Sequence, residues 1–154
     1  MTPTLWSAIA TLGPIGRLRP APGTWGSLFG VITGYGLASV SPRLLEIGIV
    51  IVIIIGTIAA SKHQESTGRK DASEVIIDEV AGQWIALLVI PLDWRWALAA
   101  FLLFRLFDIT KPGPIGMVEK WPRGIGVMAD DIIAGIAAAL CLWIAQLVLM
   151  PSLL

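Results

Sequence analysis

VIIDEVAGQWIALLVIPLDWRWALAAFLLFRLFDITKP, residues 75–112, reads as two apolar helices folded about Leu92-Asp93. The first arm, 74–91, is stopped by Pro91, and the second, 94–111, by Pro112; a proline ends a helix because it lacks the N–H and clashes with the preceding turn. Each arm carries acid far from the fold-back point: Asp78-Glu79 on one, Asp108 on the other. Asp78 stands about 14 residues before the turn and Asp108 about 15 after it, so at roughly 1.5 Å per residue they reach nearly one depth. Asp130 and Asp131 open a further apolar run and join the same layer. Carboxylates beside so much hydrocarbon are costly unless they are paired, enclosed by protein or bound to a cation.

The rest of the chain repeats the theme. Its 154 residues suffice for one domain, 1–154, and 56% of them are apolar. A mean hydropathy of +0.81 exceeds that of ordinary soluble domains and points to a polytopic membrane protein. The expected fold is an all-α membrane bundle. It has a short interfacial helix with Trp6 over 3–12 and spans at 24–40, 44–61, 74–91, 94–111 and 131–150. Gly26, Gly30 and Gly34 recur every fourth residue on the first span and allow close helix approach. The N-terminus lacks the order of a cleaved signal peptide, so the helices themselves are expected to direct insertion.

Charge gives the orientation. Arg17, Arg19, Lys62, Arg69, Lys70, Lys111, Lys120 and Arg123 fall in the segments on one side of the spans, against only Arg43 and Arg95 on the other. By the positive-inside rule the N-terminus is cytoplasmic and the C-terminus outside. Asp78, Glu79, Asp108, Asp130 and Asp131 all fall at the cytoplasmic end. Because acids contribute little to topology, a shared site is the simplest cause. A net charge of zero offers no basic surface for nucleic acid. Cys141, within an apolar run, is expected to be a buried structural thiol; one cysteine makes neither an intrachain disulfide nor a CxxC zinc site.

Oxygen ligands with a single His and a single Cys suit a hard divalent cation such as Mg²⁺. Gly82 follows Asp78 by four residues and Gly135 follows Asp131 by four, leaving room beneath each acid for a neighbouring helix or a ligand. Arg105, Asp108 and Lys111 are spaced by three and share part of a helix face, and an arginine that deep wants Asp108 or a phosphate as partner. The stretch PAPGTWGS, 20–27, opens the first span; Thr24 is a possible cap, and Gly23 and Gly26 leave backbone N–H groups open to a phosphate. His63, Glu119 and Lys120 read as exposed polar residues. Trp25, Trp84, Trp94, Trp96 and Trp143 read as anchors at the membrane interface.

Four blocks in order, APGTWGS (21–27), VIIDEVAGQWIAL (75–87), FRLFDITKPGPI (104–115) and GIGVMADDIIAGIAAAL (124–140), resemble the phosphatidylglycerophosphatase A family of bacterial membrane lipid phosphatases. The resemblance implies a compact helical fold around a central helix. It also implies Mg²⁺-dependent hydrolysis of phosphatidylglycerophosphate to phosphatidylglycerol, a step in phospholipid and cardiolipin precursor synthesis, at the cytoplasmic face of the inner membrane. Carried over by motif, the acidic positions are Asp78, Glu79, Asp108, Asp130 and Asp131 and the basic one is Lys111. The glycine-rich block falls on Gly23, Thr24, Gly26 and Ser27. Where family members often have Lys-Asp-Pro, this chain has Lys70-Asp71-Ala72; Asp71 and Glu65 are additional ligand candidates.

In this reading Lys111 and Arg105 neutralise the phosphoryl oxygens, and attack comes from metal-activated water or from Asp108 or Asp130; both routes stay open. A histidine phosphoenzyme needs more histidines than His63. The DxDx[TV] and CDP-alcohol phosphotransferase signatures are absent from the sequence. The alternatives are a small divalent-cation transporter or channel subunit, and a structural protein whose acids only pair with Arg105, Lys111 and Arg123. The sequence sets no oligomeric state.

Overall fold

The computed structural model describes residues 4–70 and 72–149. Within them the chain forms α1 (Leu5–Ala10), a 3₁₀ turn (Ile15–Arg17), α2 (Pro22–Val40), α3 (Pro42–Thr67), α4 (Ile77–Leu87), α5 (Trp94–Thr110), α6 (Pro114–Val118) and α7 (Arg123–Leu149), with no strand among the described residues. The punctuation is local. Pro22, Pro42 and Pro114 occupy first-turn positions, where the missing N–H costs nothing. Gly68 closes α3 in the left-handed region at φ 68°, its N–H bonded to the Gln64 carbonyl. The Asp93 side chain accepts the Arg95 N–H at 2.8 Å and caps α5, which places the hairpin turn where the sequence puts it.

α4 is the central helix, packed against α2, α3, α5 and α7. Gly26, Gly30 and Gly34 of α2 lie against Ile76, Gln83 and Leu87 in turn, so α2 and α4 run parallel. Gly48 and Gly56 of α3 meet Trp84 and Ile77 in the opposite order, so α3 runs antiparallel to α4. A Cβ on Gly135 of α7 would sit on the carbonyl oxygen of Gly82 in α4: these two helices touch backbone to backbone. Below that contact Ile85, Leu87, Ala100, Phe104, Ala134, Ala138 and Leu142 form one core. The glycines therefore serve helix packing, and the close contact leaves no room for ligand entry between α4 and α7 at that depth.

Large apolar side chains also cover much of the exterior. Ile47, Val50, Ile51, Ile54 and Ile58 face outward along α3, and Leu98, Leu102, Leu106 and Ile109 along α5. Continuous apolar surface of this extent marks contact with a partner or with lipid. By length and composition α3 and α7 are long and apolar enough to cross a membrane.

Several expectations are corrected. The arm 74–91 is helical only over Ile77–Leu87, about 16 Å long, and continues as the 88–93 turn. α7 begins at Arg123, so Asp130 and Asp131 lie two turns inside it rather than opening it. Gly124 and Gly126 let this first turn approach Ser61 and the Trp121 carbonyl. Trp84 is no interfacial anchor: on the central helix its N–H bonds the Gly30 carbonyl at 2.9 Å and the Thr33 hydroxyl at 3.2 Å. Cys141 is exposed, on the outward face of α7.

Candidate active site

The first turn of α4 brings Asp78 and Glu79 to a helix N-terminus, where the macrodipole favours negative charge. α7 supplies Asp131 opposite them. One carboxylate oxygen from each of the three lies within 4.8 Å of the others; Asp78 and Asp131 are buried, and Glu79, partly exposed, has its Oε2 enclosed. Asp78 Oδ1 and Glu79 Oε2 have no hydrogen-bond donor among the described residues. Buried acceptors without donors, repelling one another across one small volume, fit a hard cation with oxygen ligands. The hairpin count is borne out here, since Asp108 at the end of α5 adjoins Asp131 and Glu79.

Asp108 and Asp130 stand at the rim of this triad, each held by a cation. Asp108 pairs with Arg105 one turn earlier on α5. Arg105 Nη1 also reaches the Ser27 hydroxyl at 3.5 Å, and Ser27 Oγ donates to the Gly23 carbonyl at 2.9 Å. Gly23 faces Glu79 closely: a Cβ there would run into Glu79 Oε1 and lie 3.2 Å from Arg105 Nη1. On the other flank Lys111 Nζ bonds Asp130 Oδ2 at 2.6 Å and Glu119 Oε1 at 2.7 Å. Lys111 ends α5 in the left-handed region, φ 43°, a conformation a non-glycine residue adopts at some cost. That backbone turns the side chain back toward α7.

The glycine-rich block is in place, with one correction. α2 starts at Pro22 with Ala21 as its cap position, so Thr24 lies inside the first turn and caps nothing; its N–H bonds the Ala21 carbonyl at 3.1 Å. Gly26 is spent on packing against Ile76. Glu65 lies away from the triad, exposed, pairing with Lys62 at 3.1 Å and Arg123 at 3.6 Å. Asp71 falls outside the described residues. Glu119 is a partner of Lys111, not a free loop charge.

Two buried polar residues escaped the sequence reading. His63 is buried, not exposed, with its Nε2 3.6 Å from Glu74 Oε1 in a polar pocket also lined by Arg17, Arg19 and Arg69. Gln83 is wholly buried one turn beyond Glu79, and neither amide atom has a partner among the described residues. For Gln83 the available signal was its position four residues from Glu79 on a helix apolar on all sides.

A basic residue on each flank of a buried acidic triad, beside a helix N-terminus, is equipped to hold a cation together with a phosphate. The phosphatidylglycerophosphatase A profile matches residues 8–146. A Haemophilus influenzae protein named phosphatidylglycerophosphatase A is 41% identical over 134 residues, 85% of this chain and 82% of its own. The Escherichia coli protein of that name is 32% identical over 136 residues, 87% of this chain and 79% of its own. A Bacteroides thetaiotaomicron protein with the provisional name phosphatidylinositol-3-phosphatase is 36% identical over 136 residues, 84% of this chain and 86% of its own. No solved structure matches. The chain belongs to the phosphatidylglycerophosphatase A family.

Proposed function

We propose that the protein is a polytopic membrane phosphatase that hydrolyses the terminal phosphomonoester of phosphatidylglycerophosphate to give phosphatidylglycerol and phosphate. The observation that carries this reading is the buried Asp78–Glu79–Asp131 triad set between Arg105 and Lys111. Two relatives bear the corresponding name.

Asp78, Glu79 and Asp131 would hold Mg²⁺, with Asp108 and Asp130 beside them on Arg105 and Lys111. When bound, the ion supplies Lewis-acid polarisation of the phosphoryl group. Arg105 and Lys111 leave their carboxylates to neutralise the phosphoryl oxygens, the electrostatic term that dominates phosphoryl transfer. Asp108 and Asp130, so released, are positioned to accept the proton of an attacking water. The new P–O bond forms to that water's oxygen, the P–O bond to the glycerol headgroup breaks, and the departing alkoxide takes the proton that the carboxylate accepted from the water. The N-terminal turn of α2 offers the Gly23 N–H beside the same space.

The chain is read as crossing the membrane five times, in α2, α3, the 77–93 segment, α5 and α7, with the acid layer at the cytoplasmic surface of a bacterial inner membrane. The alternating helix directions, the outward aliphatic surface of α3 and α5, and the basic residues at the acid end support this. The cation-channel alternative finds no support: α4 and α7 close backbone to backbone at Gly82 and Gly135, directly beneath the acids.

The test is phosphate release by purified protein in mixed micelles, with phosphatidylglycerophosphate and with phosphatidylinositol 3-phosphate, each with Mg²⁺ and with a chelator. Mg²⁺-dependent release from the first lipid is expected. Release from the inositol lipid alone would reassign the headgroup, and release from neither by folded protein would overturn the phosphatase reading.

A further inference from the structure

We propose that the apolar groove between α2 and α5 is a subsite for one acyl chain of the lipid substrate. This rests on the lipid-phosphatase reading above. The groove has a volume of about 420 Å³, with Leu28, Val31 and Ile32 on one wall and Ala97, Leu98 and Phe101 on the other. Tyr35 and Trp94 stand at its far end. No charged side chain lines it. Such a lining accepts hydrocarbon and rejects a headgroup.

Its near end, at Leu28 and Phe101, lies within one turn of the active site. Ser27 and Arg105, joined at 3.5 Å, bridge the same two helices. Leu28 follows Ser27 directly, and Phe101 stands one turn from Arg105. A phosphate held by Arg105 therefore leaves the rest of its lipid at the mouth of the groove. From Phe101 to Trp94 the groove lining rises about 10 Å along α5. The hydrocarbon of one leaflet is about 15 Å deep, half of the ~30 Å core. The groove thus takes a stretch of one chain, not its whole length.

A second apolar groove supplies the contrast. It lies between α4 and α7, has a volume of about 310 Å³ and is lined by Ile85, Val89, Ile136 and Leu140 among others. It opens only beyond the Gly82–Gly135 contact, so that contact separates it from the carboxylates. Any lipid at the bundle surface can occupy that groove, but only the α2–α5 groove connects to Arg105.

The experiment compares phosphatidylglycerophosphate carrying long acyl chains with its dihexanoyl form. Val31→Trp fills the groove, and Leu28→Trp, at a more exposed position, does so should Val31→Trp not fold. Leu140→Trp fills the unconnected groove. Filling the α2–α5 groove is expected to raise KM for the long-chain lipid roughly tenfold, the scale of a lost apolar pocket contact. kcat and the short-chain KM should be unchanged, and Leu140→Trp should change neither lipid. An unchanged ratio of long-chain to short-chain KM, or an equal effect of Leu140→Trp, would overturn the subsite. A readout independent of turnover is photolabelling by the lipid with a diazirine in one acyl chain. Label concentrated on 28–35 and 94–101 supports the subsite, and label spread evenly over α3 and α7 overturns it. Wild-type protein that is labelled there yet releases no phosphate would sink the phosphatase reading and leave the subsite standing.

Discussion

Lys111 Nζ lies 2.6 Å from Asp130 Oδ2, joining the end of α5 to the second turn of α7 across the rim of the acid triad. The lysine side chain is 28% exposed and the aspartate 7%. Removing only the lysine strands a nearly buried charge, whereas removing both leaves none. Lys111→Met is therefore expected to lower stability by about 3 kcal/mol, and Lys111→Met with Asp130→Asn to recover most of that. Activity should not follow: both proteins should fall by about 100-fold or more in kcat, the cost of losing a charge-stabilising group. Thermal unfolding in detergent and phosphate release separate the two effects. Recovery of activity in the double variant would reduce the pair to a structural tie.

The triad predicts the opposite sign for stability. Asp78→Asn, Glu79→Gln and Asp131→Asn each remove a charge from three mutually repelling, buried carboxylates. Each variant should unfold at the same temperature as the metal-free parent or higher, while turnover falls to background. Mg²⁺ should raise the unfolding temperature of the parent, because a ligand bound only by the folded state stabilises it by mass action. The three variants should lose that response. A Mg²⁺-induced rise of parental size in all three would place the cation elsewhere.

Two glycines that look alike in sequence should behave differently. Gly135→Ala pushes a methyl group onto the Gly82 carbonyl, a contact between two backbones with no side chain able to yield. A loss of about 1–3 kcal/mol is expected. Gly23→Ala meets the carboxylate of Glu79 and the guanidinium of Arg105, which are flexible ends, so stability should change little. Both are site groups, and activity should drop. Unfolding temperature beside kcat reads the difference directly. Equal destabilisation with unchanged activity for Gly23→Ala would detach the α2 N-terminus from the site.

The layer of acids was legible because it depends on one regularity. A helix advances by a fixed rise, so counting from Asp93 locates Asp78 and Asp108 at one depth whatever surrounds them. The glycine stripe on α2 was legible for the same reason. What local pattern does not carry is which side of a helix faces protein. Trp84 and His63 were read from their neighbours in sequence, yet Trp84 lies on a helix enclosed by four others and His63 sits under α1 and the 3₁₀ turn. Cys141 errs the other way, because an apolar run gives the same signal whether its face meets a core or lipid. The pairing of Lys111 with both Asp130 and Glu119 depends on the left-handed turn at Lys111, which no spacing rule anticipates at a lysine.

Gln83 tests how far the polar site extends into the bundle. It is fully buried four residues from Glu79, and its amide oxygen and nitrogen lack partners among the described residues. A buried amide without hydrogen bonds costs about 1–3 kcal/mol, and an apolar replacement of similar shape removes that cost. Gln83→Met preserves the length of the side chain and its packing on Gly30. The variant is expected to be as stable as the parent or more so, with kcat and KM unchanged. Glu79→Gln, one turn away, gives the contrast, since it should abolish turnover at similar stability. If Gln83→Met instead loses activity while its unfolding temperature holds, the amide acts on Glu79 or on the bound phosphate. The working site would then reach one full turn deeper along α4 than the carboxylates mark.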